Sequence, residues 1–328
     1  MQRTYAPAPA ARPMRAAAAR LGRVRGAAGL EEALRRMVME GSLRTYVMDM
    51  GGRGLPRSRY PGVTARARHA GARGVHVLEC SGGGIGPREF YLDRRPGRFC
   101  FLHAPGGDDV DEAVRLVATT TWLRRACPGP AAIGAIARGA GANGGNGRRA
   151  RPRETVRAER EAEDGSAGAV VRWDGAVVST GGTSARAHLR IAEEARAEYA
   201  RMCANIEGCK YGVPIMRRGV LRYVARSVGF VLSRPIRDVP GLVGDLFTGK
   251  PPLRMEGTCI KVEDGVYMVP VVDLENAESL GMTITSRHFS MVITNDWPGA
   301  SVLRLLGHMQ IHCDHGLACP TATGADGG

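Results

Sequence analysis

The C-terminal end of the chain concentrates side chains that can bind a transition metal. His308, His312, Cys313, His315 and Cys319 lie within twelve residues of one another. A spacing of four residues places two imidazoles on one face of a helix, and thiolates or a third imidazole would complete a tetrahedral zinc site. The spacing matches no zinc-finger pattern. Two interpretations therefore stay open, a zinc site and a chance cluster, and we do not favour bound zinc.

A glycine-rich segment, Ser81 to Gly86, follows an apolar run in the manner of a phosphate loop. Such loops require a helix directly after the glycines, and the best-known type adds a Lys followed by Ser or Thr. Neither feature follows here. The sequence also has no Gly-x-Ser-x-Gly elbow and no His-Glu-x-x-His motif. We therefore predict no enzyme activity and no catalytic residue.

Positive charge is concentrated in the N-terminal third of the chain. The net charge is +14; residues 1–96 carry 18 Lys and Arg against 7 Asp and Glu, whereas residues 97–328 carry 28 against 25. Most of these cations are Arg, whose planar guanidinium suits phosphate contacts, although a GC-rich genome produces the same composition. Residues 1–29 contain six Arg and no acid, which predicts a disordered basic arm, with an organelle transit peptide as the alternative.

Composition limits the class of protein further. A chain of 328 residues, 44% of them hydrophobic, can form about two domains with their own cores. Its apolar runs are far shorter than the roughly 20 residues that cross a bilayer, so we expect no transmembrane helix. Eight cysteines without an apolar secretory segment indicate free thiols in a reducing compartment. Residues 139–168 are rich in Gly, Arg and Glu and are predicted to be a disordered insertion.

Hydrophobic periodicity predicts the elements that would position these residues. Before residue 97 it indicates one short helix, at 30–40, and three strand-like runs, at 45–48, 75–80 and 89–92. From residue 97 the predicted order is a strand, a helix, a strand, a hairpin with an Asp-Gly turn and a long helix, at 98–102, 108–125, 131–137, 169–180 and 183–204.

The same order recurs in the second half of the chain. The predicted elements are a strand, a short helix, two strands about a turn, a hairpin and a final helix, at 221–232, 238–247, 258–262, 266–272, 282–293 and 295–309. The apolar stripe Val239, Leu242, Val243 and Leu246 has the same spacing as Val110, Ala113, Val114 and Val117. Two units of about a hundred residues with one element order indicate an internal duplication.

This duplicated order resembles that of the TATA-box-binding protein (TBP) family over about residues 97–313. The best stretch is residues 169–204, which includes Gly175 in the hairpin turn, the Val178-x-Thr180 pair and Gly181 before the long helix. In the second half, Val228-Gly229 and Pro235-Ile236 are similar to the first strand of the family and to its entry into the short helix.

The resemblance implies an α+β fold of two pseudo-symmetric repeats that join into one curved antiparallel saddle sheet with helices on its convex face. Repeat 1 would cover residues 97–210, including the insertion at 139–168, and repeat 2 residues 211–313. Residues 30–96 would form an N-terminal extension of unknown fold, and residues 314–328 a flexible tail. A different duplicated α+β fold is the alternative, because ββα units with a glycine turn are common.

The resemblance also implies binding of double-stranded DNA through the concave face and recruitment of a transcription-factor-IIB-like partner. Val178, Thr180 and Val228 would face the minor groove. Arg98 and Arg226 stand where the family has its two central asparagines. Arg172 and Thr285 stand where the family has phenylalanine wedges, so deep kinking of the DNA is in doubt; arginine is nevertheless attracted by the negative potential of a narrow minor groove.

A second function fits the same sequence. A divergent saddle without wedges could serve as a protein-interaction module, with the basic arm providing non-specific nucleic-acid contacts. In either case we expect a monomer or weak homodimer with no membrane partner, located in a nucleus or a viral transcription compartment, or in an organelle if residues 1–29 are a transit peptide.

Overall fold

The structure is a computed structural model, and it describes residues 26–40, 42–51, 53–58, 60–107, 109–139, 158–159, 169–172, 174–180, 182–208, 211–217, 220–247, 253–293 and 299–318. The predicted arm at 1–29 therefore lies outside the described residues up to residue 25, as does most of the predicted insertion at 139–168. Residues 319–328 of the predicted tail also lie outside them. The described chain is an α+β structure with two antiparallel sheets and several helices.

The first sheet contains nine strands in the order β2-β3-β4-β5-β1-β9-β8-β7, with β6 paired to β1. Its strands are β1 (Leu43–Asp49), β2 (Val63–His69), β3 (Val75–Gly82), β4 (Ile85–Asp93), β5 (Phe99–Pro105), β6 (Arg124–Arg125), β7 (Ala158–Glu159), β8 (Ala169–Val171) and β9 (Ala176–Ser179). The predicted strand-like runs before residue 97 belong to β1, β3 and β4. Residues 43–93 therefore contribute four strands to this sheet.

Helices cover both faces of the first sheet. They are α1 (Gly26–Met39), α2 (Val110–Thr120), α3 (Gly129–Gly139) and α4 (Ala185–Gly208). Alternate residues of β1 point to opposite faces, so Val47 joins the core formed with α4, whereas Tyr46 and Met48 join the core formed with α2. α1 packs against Leu43 and Val77 on the α4 side.

The second sheet contains seven strands in the order β10-β11-β16-β15-β14-β12, with β13 paired to β14. Its strands are β10 (Tyr211–Arg217), β11 (Val220–Val231), β12 (Leu253–Met255), β13 (Ile260–Glu263), β14 (Val266–Asp273), β15 (Glu278–Ile284) and β16 (His288–Ile293). Two helices complete this half of the chain, α5 (Val239–Phe247) between β11 and β12 and α6 (Gly299–His312) after β16.

Helix α6 lies between the two halves of the molecule and is buried on all sides. Every residue from Gly299 to Gln310 is buried, and the helix contacts both α3 and α4. Gly307 packs so closely on the start of α3 that a Cβ atom there would lie 3.1 Å from the Cα of Gly129. One continuous apolar core accordingly includes residues of α3, α4, α5, α6 and the inner faces of both sheets.

A buried polar network also joins the two halves. Arg304 of α6 is 1% exposed; its Nε lies 3.1 Å from Oδ2 of Asp273, which is fully buried. Arg304 also donates from Nη2 to the backbone oxygen of Arg125 at 3.1 Å, and the backbone nitrogen of Arg125 donates to Oδ1 of Asn276 at 3.2 Å. Arg124 forms a further ion pair with Glu278 at 2.7 Å. The β14–β15 turn is thereby fixed to β6.

Several sequence-based predictions differ from the structure. The helix expected at 108–125 ends at Thr120, and Arg124–Arg125 form β6. Residues 26–29 of the predicted disordered arm belong to α1. Residues 131–137 were expected to form a strand but lie in helix α3, because an alanine-rich apolar run of this length fits a buried helix as well as a strand. The strands also form two sheets rather than one saddle sheet. β5 is paired on its two sides by β4 and β1, and β11 by β10 and β16, so neither strand has a free edge through which the sheets could join.

Candidate nucleic-acid interface on the second sheet

Strand alternation divides the second sheet into a core face and an open face. The core-face residues are buried against α5 and α6, and they include Val228, Phe230, Val269, Val271, Met282, Ile284, Phe289 and Met291. Phe230 and Phe289 stack at 4.6 Å between ring centroids, which fixes the register of β11 against β16. The residues between these positions point to the opposite side of the sheet.

The open face consists of four rows of residues that lie opposite one another across the strands. The residues of these rows are, from one end of the strands to the other, Val231, His288 and Thr285; Gly229, Ser290, Thr283, Met268 and Ile260; Ser227, Val292, Gly281 and Pro270; and Ser279, Val272 and Arg254. Every residue of the four rows is exposed or half-buried. We call this surface the open face.

Small and β-branched side chains dominate the open face. A Cβ atom added at Gly229 would meet nothing within 4 Å, so the backbone of β11 can be approached directly at this point. Val231 is 73% exposed, and the cross-strand pair of Ile260 and Met268 is 53% and 46% exposed. Exposed apolar side chains thus lie at both edges of the open face, and such side chains mark binding surfaces where they join into a contiguous patch.

Formal charge lies at one edge of the open face. Within the four rows, Arg254 on β12 carries the formal charge, and the imidazole of His288 lies at the opposite end. The turn between β15 and β16 is shaped by Thr285, whose Oγ1 accepts from the backbone nitrogen of His288 at 3.0 Å. The centre of the face is therefore neutral.

The residues predicted in the second half reach this surface only in part. Val228 is fully buried on the core face, contrary to the expectation that it faces DNA. Since successive strand residues point to opposite faces, an error of one residue exchanges the two sides, and Gly229 stands where Val228 was expected. Thr285 lies at the margin of the open face. Arg226 is paired through its backbone with Gly212 and Ile293, and its side chain lies outside the part of the structure that is described.

The residues predicted in the first half lie on the other sheet and have intramolecular partners. Arg98 is ion-paired with Asp49 at 3.0 Å and Glu207 at 2.8 Å, whereas Arg172 is ion-paired with Asp111 at 2.9 Å.

Val178 packs against the core that α2 covers, and Thr180 contacts Thr183, whose Oγ1 accepts from the Thr180 backbone nitrogen at 3.0 Å. Arg172 and Val178 therefore lie on a face that a helix occupies, and the structure does not bring the predicted DNA-binding residues together.

The metal-binding side chains at the C-terminus do not converge. Among the described residues, no group of three or more His, Cys, Asp or Glu is arranged to hold a metal ion. The rings of His308 and His312 are 4.4 Å apart, but Nε2 of His308 lies 3.1 Å from the backbone oxygen of Leu246. Burial lowers the pKa of His308 to about 4. Cys313 packs against the core, His315 is exposed and Cys319 lies outside the described residues.

Sequence reasoning missed most of the open face, although one signal for it was present. The run Ser227 to Leu232 alternates small or exposed residues with Val228 and Phe230, and only one of the two alternating sets contains an aromatic residue suited to a core. Choosing the set with Phe230 as the core set would have assigned Gly229 and Val231 to the surface.

Comparison with known proteins gives one assignment. No helix of the described residues is long and apolar enough to cross a membrane. No curated protein and no solved structure matches the chain. A family model described as MJECL33-like protein matches residues 152–320, which include β8, β9, α4 and the whole second sheet with its two helices. Since this match covers just over half of the chain, the chain belongs to the family of MJECL33-like proteins.

Proposed function

We propose that the protein binds double-stranded DNA through the open face, in the manner of one half of a TBP-like saddle. The observation that carries this proposal is the order of elements in residues 220–312. β11 is followed by the short helix α5, then by the antiparallel strands β12 to β16, and then by α6. Both helices pack on one face of the sheet, and no helix of the described residues covers the other face. This is the order and layering that the resemblance implies for one repeat.

The side chains of the open face support contact with a minor groove. Minor-groove base edges present mainly acceptors and carry few distinguishing donors, so binding there depends on close approach and shape more than on charged side chains. Gly229, Ser290 and Thr283 are three successive members of one row, starting at β11, and add little bulk above the backbone. Val292 and Val272 extend an apolar surface that can contact sugars and base edges.

Phosphate contacts would come from the margins and from the basic N-terminal region. The centre of the open face is neutral, whereas Arg254 on the edge strand and Arg287 in the β15–β16 turn are exposed. Affinity for DNA rises with the number of phosphates that cations neutralise, and residues 1–96 carry most of the excess positive charge. We therefore expect the face to set groove preference and the N-terminal region to supply much of the salt-dependent affinity.

The test places a carboxylate on the open face. The Gly229→Glu variant of the full chain would introduce a negative charge where nothing lies within 4 Å, so the fold is preserved while DNA is repelled. Gly86→Glu is the matched control, because Gly86 is also an exposed strand glycine with nothing within 4 Å, but on the first sheet. We expect at least a tenfold loss of affinity for a 20-base-pair duplex, about 1.4 kcal/mol, in the first variant only.

Equal affinity in the two variants would contradict the proposal. It would favour a second function, in which the open face binds a protein partner and the basic region alone contacts nucleic acid. The exposed apolar residues Val231, Ile260 and Met268 favour this second function, because such side chains commonly mark protein interfaces. Recruitment of a transcription-factor-IIB-like protein is implied by the resemblance alone and stays a prediction.

A further inference from the structure

A second surface with binding chemistry lies at one end of the first sheet, away from the residues that the family model matches. A cleft of about 430 Å³ is formed where three loops meet: the segment after β1, the β2–β3 turn and the β4–β5 turn. Its lining residues are Met50, Arg53, Arg73, Gly74, His76, Arg94, Gly97 and Arg98. We call this the basic cleft. It is as large as many small-molecule sites.

The charge of the basic cleft is one-sided. No carboxylate lines it, and four of its eight lining residues are arginines. The charge of Arg98 is offset by its ion pairs with Asp49 and Glu207. In the part of the chain that the structure describes, Arg53, Arg73 and Arg94 have no ion pair with a carboxylate. Three arginines that have no ion pair with a carboxylate among the described residues therefore line one cavity.

Two polar atoms at the basic cleft lack the partner that burial demands. Nε of Arg94 and Nδ1 of His76 are buried from solvent, and neither has a hydrogen-bond partner in the described residues. Buried polar atoms are nearly always satisfied in folded proteins, so each unsatisfied atom requires an explanation. An oxygen-rich anion in the cleft would balance the arginine charges and offer an acceptor to the guanidinium group of Arg94.

From this geometry we infer that the basic cleft is a binding site for phosphate groups. Guanidinium groups match phosphate oxygens in a two-pronged geometry, and three uncompensated arginines suit a ligand with more than one negative charge. Pyrophosphate groups of a nucleotide and successive phosphates of a nucleic-acid backbone share this chemistry. The inference is independent of the open face, because none of the residues involved belongs to the second sheet.

The test uses the full chain and two double variants of equal charge. Arg53→Gln/Arg73→Gln removes two exposed arginines of the basic cleft, and Arg57→Gln/Arg66→Gln removes two exposed arginines outside it on the same sheet. Binding of inorganic pyrophosphate is measured by calorimetry at 150 mM salt. We expect at least a tenfold weaker affinity for the first variant and a change of less than twofold for the second. Thermal melting of both variants checks that the fold is retained.

A 20-base-pair duplex distinguishes the two sources of phosphate. If the first variant binds the duplex more weakly than the second, and pyrophosphate displaces the duplex from the unaltered chain, the ligand is a nucleic-acid backbone. If the two variants bind the duplex equally but only the first has lost pyrophosphate, the ligand is a small phosphorylated compound. The inference is overturned if the unaltered chain does not bind pyrophosphate, or if both variants lose affinity to the same extent.

Discussion

Replacing Asp273 by alanine should destabilise the protein more than any surface change, because its carboxylate holds the two halves together at a buried point. The side chain accepts hydrogen bonds from Nε of Arg304 at 3.1 Å, from Oγ of Ser301 at 2.8 Å and from Nδ2 of Asn276 at 3.0 Å. It also accepts from the backbone nitrogen of Glu275 at 2.9 Å. The Asp273→Ala variant loses all of these and leaves Arg304, 1% exposed, without its countercharge.

The expected cost follows from that stranded charge. Removal of one partner of a buried ion pair costs about 3–5 kcal/mol, whereas replacement of both partners by apolar residues of similar size is often neutral. We therefore expect Asp273→Ala to lower the free energy of unfolding by about 3–5 kcal/mol and the melting temperature by about 10 °C. The double variant Asp273→Ala/Arg304→Met should recover most of this loss, since no unpaired charge stays buried.

Urea unfolding followed by circular dichroism, together with thermal melting, measures the four members of this double-mutant cycle: the unaltered chain, Asp273→Ala, Arg304→Met and the double variant. Asp264→Ala is the control, because Asp264 forms an ion pair with Lys261 at 2.7 Å but its side chain is 99% exposed, so no measurable change is expected. The reasoning fails if Asp273→Ala is as stable as the control. It also fails if the double variant is less stable by the sum of the two single losses, because the two side chains would then not be coupled.

The other predictions concern pH and backbone geometry. Burial lowers the pKa of His103 to about 4, of His188 to about 3 and of His308 to about 4, below the value near 6.5 of an unfolded chain. As the pH falls, the unfolded state therefore binds protons before the folded state does. The free energy of unfolding should be at its full value above pH 6.5 and should fall between pH 6.5 and 4, by up to about 1.4 kcal/mol per pH unit for each histidine. A urea midpoint that stays constant over this interval would refute the prediction. Gly175 has φ +82°, and a Cβ there would lie 2.2 Å from the backbone oxygen of Ala126. Gly175→Ala should thus lower the free energy of unfolding by about 1–3 kcal/mol through backbone strain alone. The loss should exceed that of Gly265→Ala, because Gly265 has φ +76° but nothing within 4 Å of an added Cβ. Equal losses in the two variants would show that the contact with Ala126 relaxes.

Local pattern was sufficient for elements whose neighbours along the chain are also their neighbours in space. The helix around Val110 and Val117, the hairpin with its turn at Gly175 and the strands β14 to β16 were all predicted, because their apolar stripes and turns are encoded within about twenty residues. The strand β2 was missed, since residues 63–69 contain two arginines and a histidine and bury only one side chain fully. Helix α3 was predicted as a strand because its apolar run is short.

The open face and the basic cleft depend on contacts that are distant in sequence, which is why they could be predicted only in part. The cleft brings Arg53, Arg73 and Arg94 together from three loops, each of which looks like an ordinary solvated turn in the sequence. The resemblance identified Arg98 as a DNA contact, but Asp49 and Glu207, 49 and 109 residues away, already hold its guanidinium. No periodicity reveals such pairing.

The position of β1 explains why the first half of the chain does not repeat the second. β1 lies between β5 and β9, pairs with both, and carries Val47 into one core and Tyr46 into the other. In the second sheet β11 pairs directly with the hairpin strand β16, whereas in the first sheet β1 separates β5 from the hairpin strand β9. With α2 covering the face opposite α4, helices of the described residues cover both faces of the first sheet but only one face of the second.

If the second sheet binds DNA, it must do so as a single half. Five strands at about 4.8 Å spacing give a surface about 19 Å wide. That width corresponds to about six base pairs at 3.4 Å each, so cations elsewhere on the chain would have to supply the affinity that a second half provides in a complete saddle.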